Sequence, residues 1–326
     1  MFATGASGSA ARSAQTTADI YSIALDGSAL RRVTGSPDSD AYLSRSADGT
    51  KLAWLSTRDG ETYSIYVSDA DGAGVRRVAS YSPTVDFREP PVWSADGRRL
   101  AYAQGFGCGQ VICDRQEVWT TDVLSGQSRR VAGGAVQPAW SATRLAYTRA
   151  RLITTGHEPT YRLSVILARL DGSRPHLLVR RGERPSWSPS GRFLVYRGFD
   201  GYGPTSVFRI RRDGAQRRRL PSPFDPAAAA WSPSGRHIAI VGGTLPALYV
   251  VRANGGRLRA LGRITTSDSE PGFSWSPDGR RLAWPRGKRI FVQAATGGSR
   301  REISVGKDVL DVVWAADGRR LFLVAA

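Results

Sequence analysis

One phrase returns along this chain and sets what it can fold into. It reads W-S-A-D-G-R-R-L-A-Y from Trp93, W-S-P-S-G-R-F-L-V-Y from Trp187 and W-S-P-S-G-R-H-I-A-I from Trp231. It reads W-S-P-D-G-R-R-L-A-W from Trp275 and W-A-A-D-G-R-R-L-F-L from Trp314. Two copies are degraded: Arg45 fills the Trp slot of R-S-A-D-G-T-K-L-A-W, and W-S-A-T-R-L-A-Y from Trp140 has lost turn residues. Successive starts lie 48, 47, 47, 44, 44 and 39 residues apart. A period of about 45 residues is the size of one four-stranded propeller blade.

Each residue of the phrase has a local reason. Ser and Asp side chains bond backbone N–H groups across a bend, Pro presets φ, and Gly takes a conformation that a Cβ disfavours. The Trp is large enough to wedge between blades. Between copies runs a second unit, an apolar strand with an aromatic, a tight turn and a basic strand. Examples are Ile20 to Thr34, Ile65 to Ala79, Val207 to Leu220, Leu248 to Leu261 and Ile290 to Ile303. Its turns carry Asp26-Gly27, Asp71-Gly72, Asp171-Gly172, Asp213-Gly214, Asn254-Gly255 and Thr296-Gly297, pairs suited to two-residue hairpins. No segment shows a sustained helical period. The fold is therefore expected to be all-β, a seven-bladed β-propeller, with six blades as the alternative count.

With strands A to D running from channel to rim, the Trp phrase ends A, turns, and begins B; the aromatic strand is C and the basic strand is D. The chain opens on a C–D pair and ends on an A–B pair. The two halves are expected to form one blade and close the ring without free edges. Residues 1–18 read as a disordered tail and 19–326 as a single propeller domain. The stretch Met1 to Thr17 is small and polar and lacks the charged start and apolar run of a secretory signal.

The repeated W-S-P-D-G followed by a short apolar strand resembles the TolB-like propeller family. The resemblance covers the chain from about Asp19. It implies the fold, and a protein-binding role at the cell envelope. In TolB itself a small α/β domain precedes a six-bladed ring; here seven blades are counted, so no partner interface transfers residue by residue.

Strand order places D–A and B–C loops on one face and A–B and C–D turns on the other. The long, dissimilar B–C loops (Gln104 to Gln116, Arg149 to Thr160, Gly198 to Thr205) make the first face the candidate site. The D–A loops bring carboxylates there: Asp38, Asp40, Asp86, Glu89, Glu183, Asp225, Asp268, Glu270, Asp308 and Asp311. The blade of Trp140 offers Gln137 instead. An acidic mouth would hold a cationic peptide or a metal ion such as Ca²⁺, which needs six to eight oxygens; the same carboxylates would otherwise cap turns and balance arginines. No cofactor is expected and no metal ligand set is assigned. Cys108 and Cys113 form either a small loop disulfide, the favoured reading, which implies an oxidising compartment, or two reduced thiols. Among the histidines, His237 is expected packed, His176 exposed, and His157 lies in a long loop.

The sequence contains no G-x-S-x-G elbow, phosphate loop or dinucleotide fingerprint. Its single Asn, Asn254, counts against the Asn-rich metal channel of sugar-lactone propellers. The expected function is thus a non-enzymatic protein- or peptide-binding scaffold, extracytoplasmic and at the cell envelope. The alternative is a metal-dependent hydrolase, lactonase-like or carbohydrate-binding propeller using the acidic mouth. Composition narrows this little. Of 326 residues 41 % are hydrophobic, enough for a core and against a disordered chain, and 2 Cys exclude a disulfide scaffold. No apolar run is long enough for a spanning helix. Net charge is +18, and 43 of the 46 basic residues are Arg. That skew reads first as codon bias and second as attraction to an anionic wall polymer or lipid surface at the Arg-rich face; nucleic acid is disfavoured as a partner.

Overall fold

The computed structural model describes residues 17–35, 38–60, 62–80, 89–105, 114–154, 160–199, 204–265 and 272–326. Asp86, Asp268, Glu270, Cys108, Cys113 and His157 lie outside them, as does the proposed tail up to residue 16. Ala18 is buried, and its carbonyl accepts the Asp40 N–H.

Seven four-stranded antiparallel sheets make the ring. Blade 1 comprises Asp40–Arg45, Lys51–Ser56, Ser64–Asp69 and Arg76–Ser80. Blade 2 follows with Val92–Trp93, Arg99–Gly105, Gln116–Asp122 and Ser128–Gly133, and blade 3 with Ala135–Trp140, Arg144–Thr154, Thr160–Arg169 and His176–Arg180. Blade 4 is Gly182–Trp187, Phe193–Gly198, Ser206–Arg211 and Arg218–Arg219; blade 5 is Pro226–Trp231, His237–Gly242, Ala247–Arg252 and Arg259–Arg263. Blade 6 is Ser274–Trp275, Arg281–Arg286, Arg289–Ala294 and Arg300–Ser304. Blade 7 joins Val309–Trp314 and Arg320–Ala325 to Asp19–Ala24 and Arg31–Arg32. Asp19 pairs with Ala325 and Ala24 with Arg320, so the ring closes through an unbroken antiparallel ladder. The count is seven, not six.

The phrase makes its turn as the residue types require. Ser94, Ser188, Ser232 and Ser276 accept, on Oγ, the N–H five residues on, at 2.8 to 3.0 Å. Asp96 and Asp278 accept the Oγ–H of the same serines at 2.6 Å and the N–H of Arg98 and Arg280. Gly279 sits at φ 65°, and a Cβ there would lie 2.5 Å from the Ser234 nitrogen of the preceding blade. The Trp side chains stitch inner strands: Trp140 donates to the Val92 carbonyl, Trp187 to Ala139 and Trp275 to Ala230, each in the preceding blade. Trp93, Trp187, Trp231, Trp275 and Trp314 are buried, as expected of structural residues.

Farther out, aromatic pairs cross strands B and C: Trp54 on Tyr66, Tyr196 on Phe208 and Trp284 on Phe291, with ring centroids 5.5 to 6.1 Å apart. The Arg doublets of strand D split their work, because adjacent strand residues point to opposite faces. One member reaches the C–D turn of the next blade. Arg31 donates to the Asp71 carbonyl, Arg76 to Val123, Arg129 to Asp171, Arg218 to Asn254 and Arg301 to Leu25. A neighbouring arginine stays within its own blade. Arg32 pairs with Asp19, Arg77 with Asp59 and Arg130 with Glu117, while Arg217 and Arg300 lie over Phe208 and Phe291. Much of the basic excess at the rim is therefore structural.

One loop expectation changes. Arg149 to Thr154 continues strand B of blade 3, giving strands of 11 and 10 residues where most blades have about six. The register runs on from Arg149↔Ser164 to Leu152↔Tyr161, so what reads as a loop is largely a projecting hairpin.

Candidate functional site

The predicted carboxylates among the described residues (Asp38, Asp40, Glu89, Glu183, Asp225, Asp308 and Asp311) do not share one position in their blades. Counted back from the phrase starts, they occupy different offsets, from seven residues before the phrase for Asp38 to three for Asp311. Four of them have an arginine close by. Asp40 is fully buried; its Oδ1 accepts from Trp54 Nε1 and Arg58 Nη2 at 3.0 and 3.1 Å, and its Oδ2 from Thr34 Oγ1 at 2.6 Å. Arg197 bridges Glu183 and Asp225 at 3.0 and 2.8 Å. The Thr205 hydroxyl, then Arg197, holds the Asp225 carboxyl below the usual carboxylate range. Glu89 lies 3.8 Å from Arg184. Asp38 is half-buried, and Asp308 is exposed beside the chain's last strand. Gln137, the odd residue of blade 3, accepts from Thr148 Oγ1 at 2.7 Å and from the Arg184 N–H at 3.0 Å. Among the described residues no group of three or more His, Cys, Asp or Glu is placed to hold a metal ion. His237 stacks on Trp275, and burial lowers its pKa; His176 is exposed.

A different set of positions converges on the channel. Three residues before each phrase stand Tyr42, Pro90, Gln137, Arg184, Ala228, Gly272 and Asp311. Ladder register shifts near this position in five of the blades, and Tyr42, Gln137 and Arg184 take positive φ of 56°, 56° and 51°. Such a bulge re-aims a side chain at the end of a strand. Tyr42, Pro90, Gly272 and Asp311, from blades 1, 2, 6 and 7, line one cavity of about 270 Å³, together with Tyr63 and Phe273. Its lining is mostly apolar and includes Leu310, which is 41 % exposed.

Asp311 is the ionisable exception there. Oδ1 accepts the Val312 N–H at 2.7 Å and Oδ2 the Leu43 N–H at 3.2 Å, across the seam between blades 7 and 1. Its side chain retains some accessible surface, facing this cavity, yet protein surrounds it. Burial pushes its carboxyl up to about 7, against the pull of those two N–H groups. Sequence reading found Asp311 as one of ten acids and missed Tyr42, Tyr63, Phe273 and Leu310. A common offset from the phrase was the signal that would have grouped Tyr42 with Asp311; Tyr63, Phe273 and Leu310 stand at other offsets.

The same face exposes large apolar side chains on its loops. Phe224 is 68 % exposed, Leu245 60 %, Ile153 52 % and Phe199 40 %. They come from blade 3's hairpin, the blade 4 and 5 B–C connections and the loop joining blades 4 and 5.

These features define a closed seven-bladed β-propeller with a tight-turned face, an apolar-tipped loop face and a channel cavity. Residues 135–326 match the family model described as TolB beta propeller domain, and the chain belongs to that family. Among curated proteins it is 33 % identical over 120 residues to the Tol-Pal system protein TolB of Thioalkalivibrio sulfidiphilus, covering 34 % of this chain and 25 % of that protein. It is 27 % identical over 154 residues to the "Uncharacterized peptidase YuxL" of Bacillus subtilis, covering 46 % and 20 %. The matched segments thus span a quarter or less of these relatives. In fold it is similar to an oligogalacturonate lyase in complex with manganese, with TM-score 0.65 and 13 % identity over 95 % of this chain and 96 % of that one. It is also similar to TolB from Acinetobacter baumannii, with TM-score 0.55 and 18 % identity over 88 % and 63 %. At these identities the structural likeness is one of fold. No helix among the described residues is long and apolar enough to cross a membrane.

Proposed function

We propose that this propeller is a binding scaffold that captures a protein or peptide on its loop face. The observation that carries the reading is the display of Phe224, Leu245, Ile153 and Phe199 on loops of a rigid closed ring. Exposed apolar side chains gathered on one face mark interaction sites, and binding energy concentrates in a few aromatic anchors. The opposite face is built of tight turns whose Asp and Ser side chains are spent on the turns themselves; its exposed apolar side chains, Leu124, Leu30 and Val75, are aliphatic and stand singly on C–D turns of separate blades. An extracytoplasmic setting at the cell envelope is part of the proposal; its support is the kinship with Tol-Pal system proteins and the Cys108/Cys113 spacing. A metal-dependent lyase- or hydrolase-like role has less behind it, since Asp40, Glu183 and Asp225 are already satisfied by Trp54, Arg58, Arg197 and Thr205.

The test is affinity capture from an envelope extract with wild type and with Phe224→Glu/Leu245→Glu, followed by titration of the purified captured protein. The double variant is expected to fold normally and to bind at least tenfold more weakly. Undiminished binding by the variant, or stoichiometric manganese or calcium in the purified protein accompanied by turnover of an oligosaccharide, would overturn the reading.

A further inference from the structure

The cavity at the channel mouth has a composition that the outer loops do not. Asp311 is the sole charged group among its described lining residues; Tyr42 and Tyr63 supply phenols and Phe273 a third ring. Both Asp311 oxygens meet one backbone N–H each, and no cationic side chain is among the influences on its titration. The charged groups on strands packed against Val309–Trp314 are Asp40 and Arg45 of blade 1, Arg281, Arg286 and Arg289 of blade 6, and Arg320 of blade 7. Asp40 is held by Arg58 and Arg320 by Asp317. Asp40, Glu89, Glu183 and Asp225 on this face each have an arginine beside them, whereas Asp311 is backed by main-chain N–H groups and faces an apolar volume. A carboxylate so placed gains most from a cation brought in by a ligand, and aromatic faces add attraction for the same charge.

We infer that this cavity receives the cationic end of a Lys or Arg side chain from a bound peptide, with the Asp311 carboxylate as counter-ion and the rings of Tyr42, Tyr63 and Phe273 beside its stem. The inference rests on the scaffold reading and names what that scaffold selects. The chain's net charge of +18 opposes long-range attraction of cations, so recognition is short-range and depends on this one carboxylate. Because burial holds the Asp311 carboxyl near neutral pH, a bound cation displaces its proton, and affinity strengthens as pH rises from 6 to 8.

The experiment is calorimetric or NMR titration of the full chain with acetyl-Ala-Ala-Lys-Ala-Ala-amide, with the same peptide carrying norleucine for lysine, and with n-butylammonium. The lysine peptide is expected to bind at least tenfold tighter than the norleucine peptide and than butylammonium. Asp311→Asn should erase that preference, and Tyr63→Leu, a loop change, should weaken lysine binding about threefold or more while the melting temperature holds. Equal binding of the two peptides, or a preference that survives Asp311→Asn, would overturn the inference. Butylammonium binding as tightly as the peptide would also overturn it, marking a site for free amines. The scaffold reading fails separately, on the outer-loop variants: a partner lost with Phe224 and Leu245 beside an unselective cavity sinks this inference alone.

Discussion

Asp311 and His237 place opposite demands on the folded state between pH 5 and 8. Burial raises the Asp311 carboxyl from 3.8 to about 7, so the fold favours its protonated form. Its contribution to stability is fully present below about pH 4 and is lost as pH rises through 7. The His237 imidazole is lowered from 6.5, chiefly by burial and then by Arg252 and Arg236. Its contribution is present above 6.5 and is lost as pH falls. Thermal melts at pH 5 and pH 8 should therefore show a pH 8 penalty in wild type that Asp311→Asn removes. Only the part of the rise above pH 5, about two pH units, counts between pH 5 and 8; it caps that penalty at about 3 kcal/mol, and the partial accessibility of the side chain brings it to about 1–2. His237→Gln should increase the penalty. An Asp311→Asn protein with the wild-type pH dependence would refute the burial of this carboxyl. The sequence could name Asp311 but could not distinguish it from nine other loop acids, because what sets it apart from Asp40, Glu89, Glu183 and Asp225 is its backing by main-chain N–H groups, whereas Arg58, Arg184 and Arg197 are brought to those four by tertiary packing.

At the scale of strands and turns, the phrase was legible because each residue of it acts within a few positions of itself. The Ser and Asp bonds, the positive-φ Gly and the apolar strand start are all local. The Arg doublets were not, since their acceptors are turn carbonyls about 40 residues away, as from Arg31 to Asp71 and Arg218 to Asn254. Hence the rim looked like an anion-binding surface when much of it joins blades. Replacing Arg31, Arg218 and Arg301 by Gln together should lower stability by about 1–2 kcal/mol in urea unfolding, near-additively because the three donate to different carbonyls and share no partner. Arg192→Gln, at an exposed position, is the control and should stay within about 0.5 kcal/mol. The long hairpin of blade 3 belongs to the same lesson: Leu152 and Tyr161 pair across it, but its polar tip looked like a loop. Joining Ala150 to Leu163, which face each other in the ladder, through a two-residue Asn-Gly turn should leave the melting temperature within about 2 °C. A cooperative collapse of that variant would show that the hairpin holds the ring together.

The whole molecule is a ring whose last joint is made by both ends of the chain. Removing 309–326 takes away the two inner strands of blade 7, including Trp314 and Leu321, Leu323 and Val324, and uncovers Ile20 and Ile23. The truncated protein should aggregate or melt at least 10 °C lower; a soluble product with the wild-type melting temperature would contradict the closure. The closed ring also gives the molecule two unlike faces, and the account's central claim is that the loop face does the binding. Hydrogen–deuterium exchange of the protein, free and with its captured partner, tests that directly. The account predicts new protection at 220–225, 243–246 and 309–313, with 94–99 and 276–281 unchanged. Protection confined to those tight turns and to the Arg strands of the rim would contradict it.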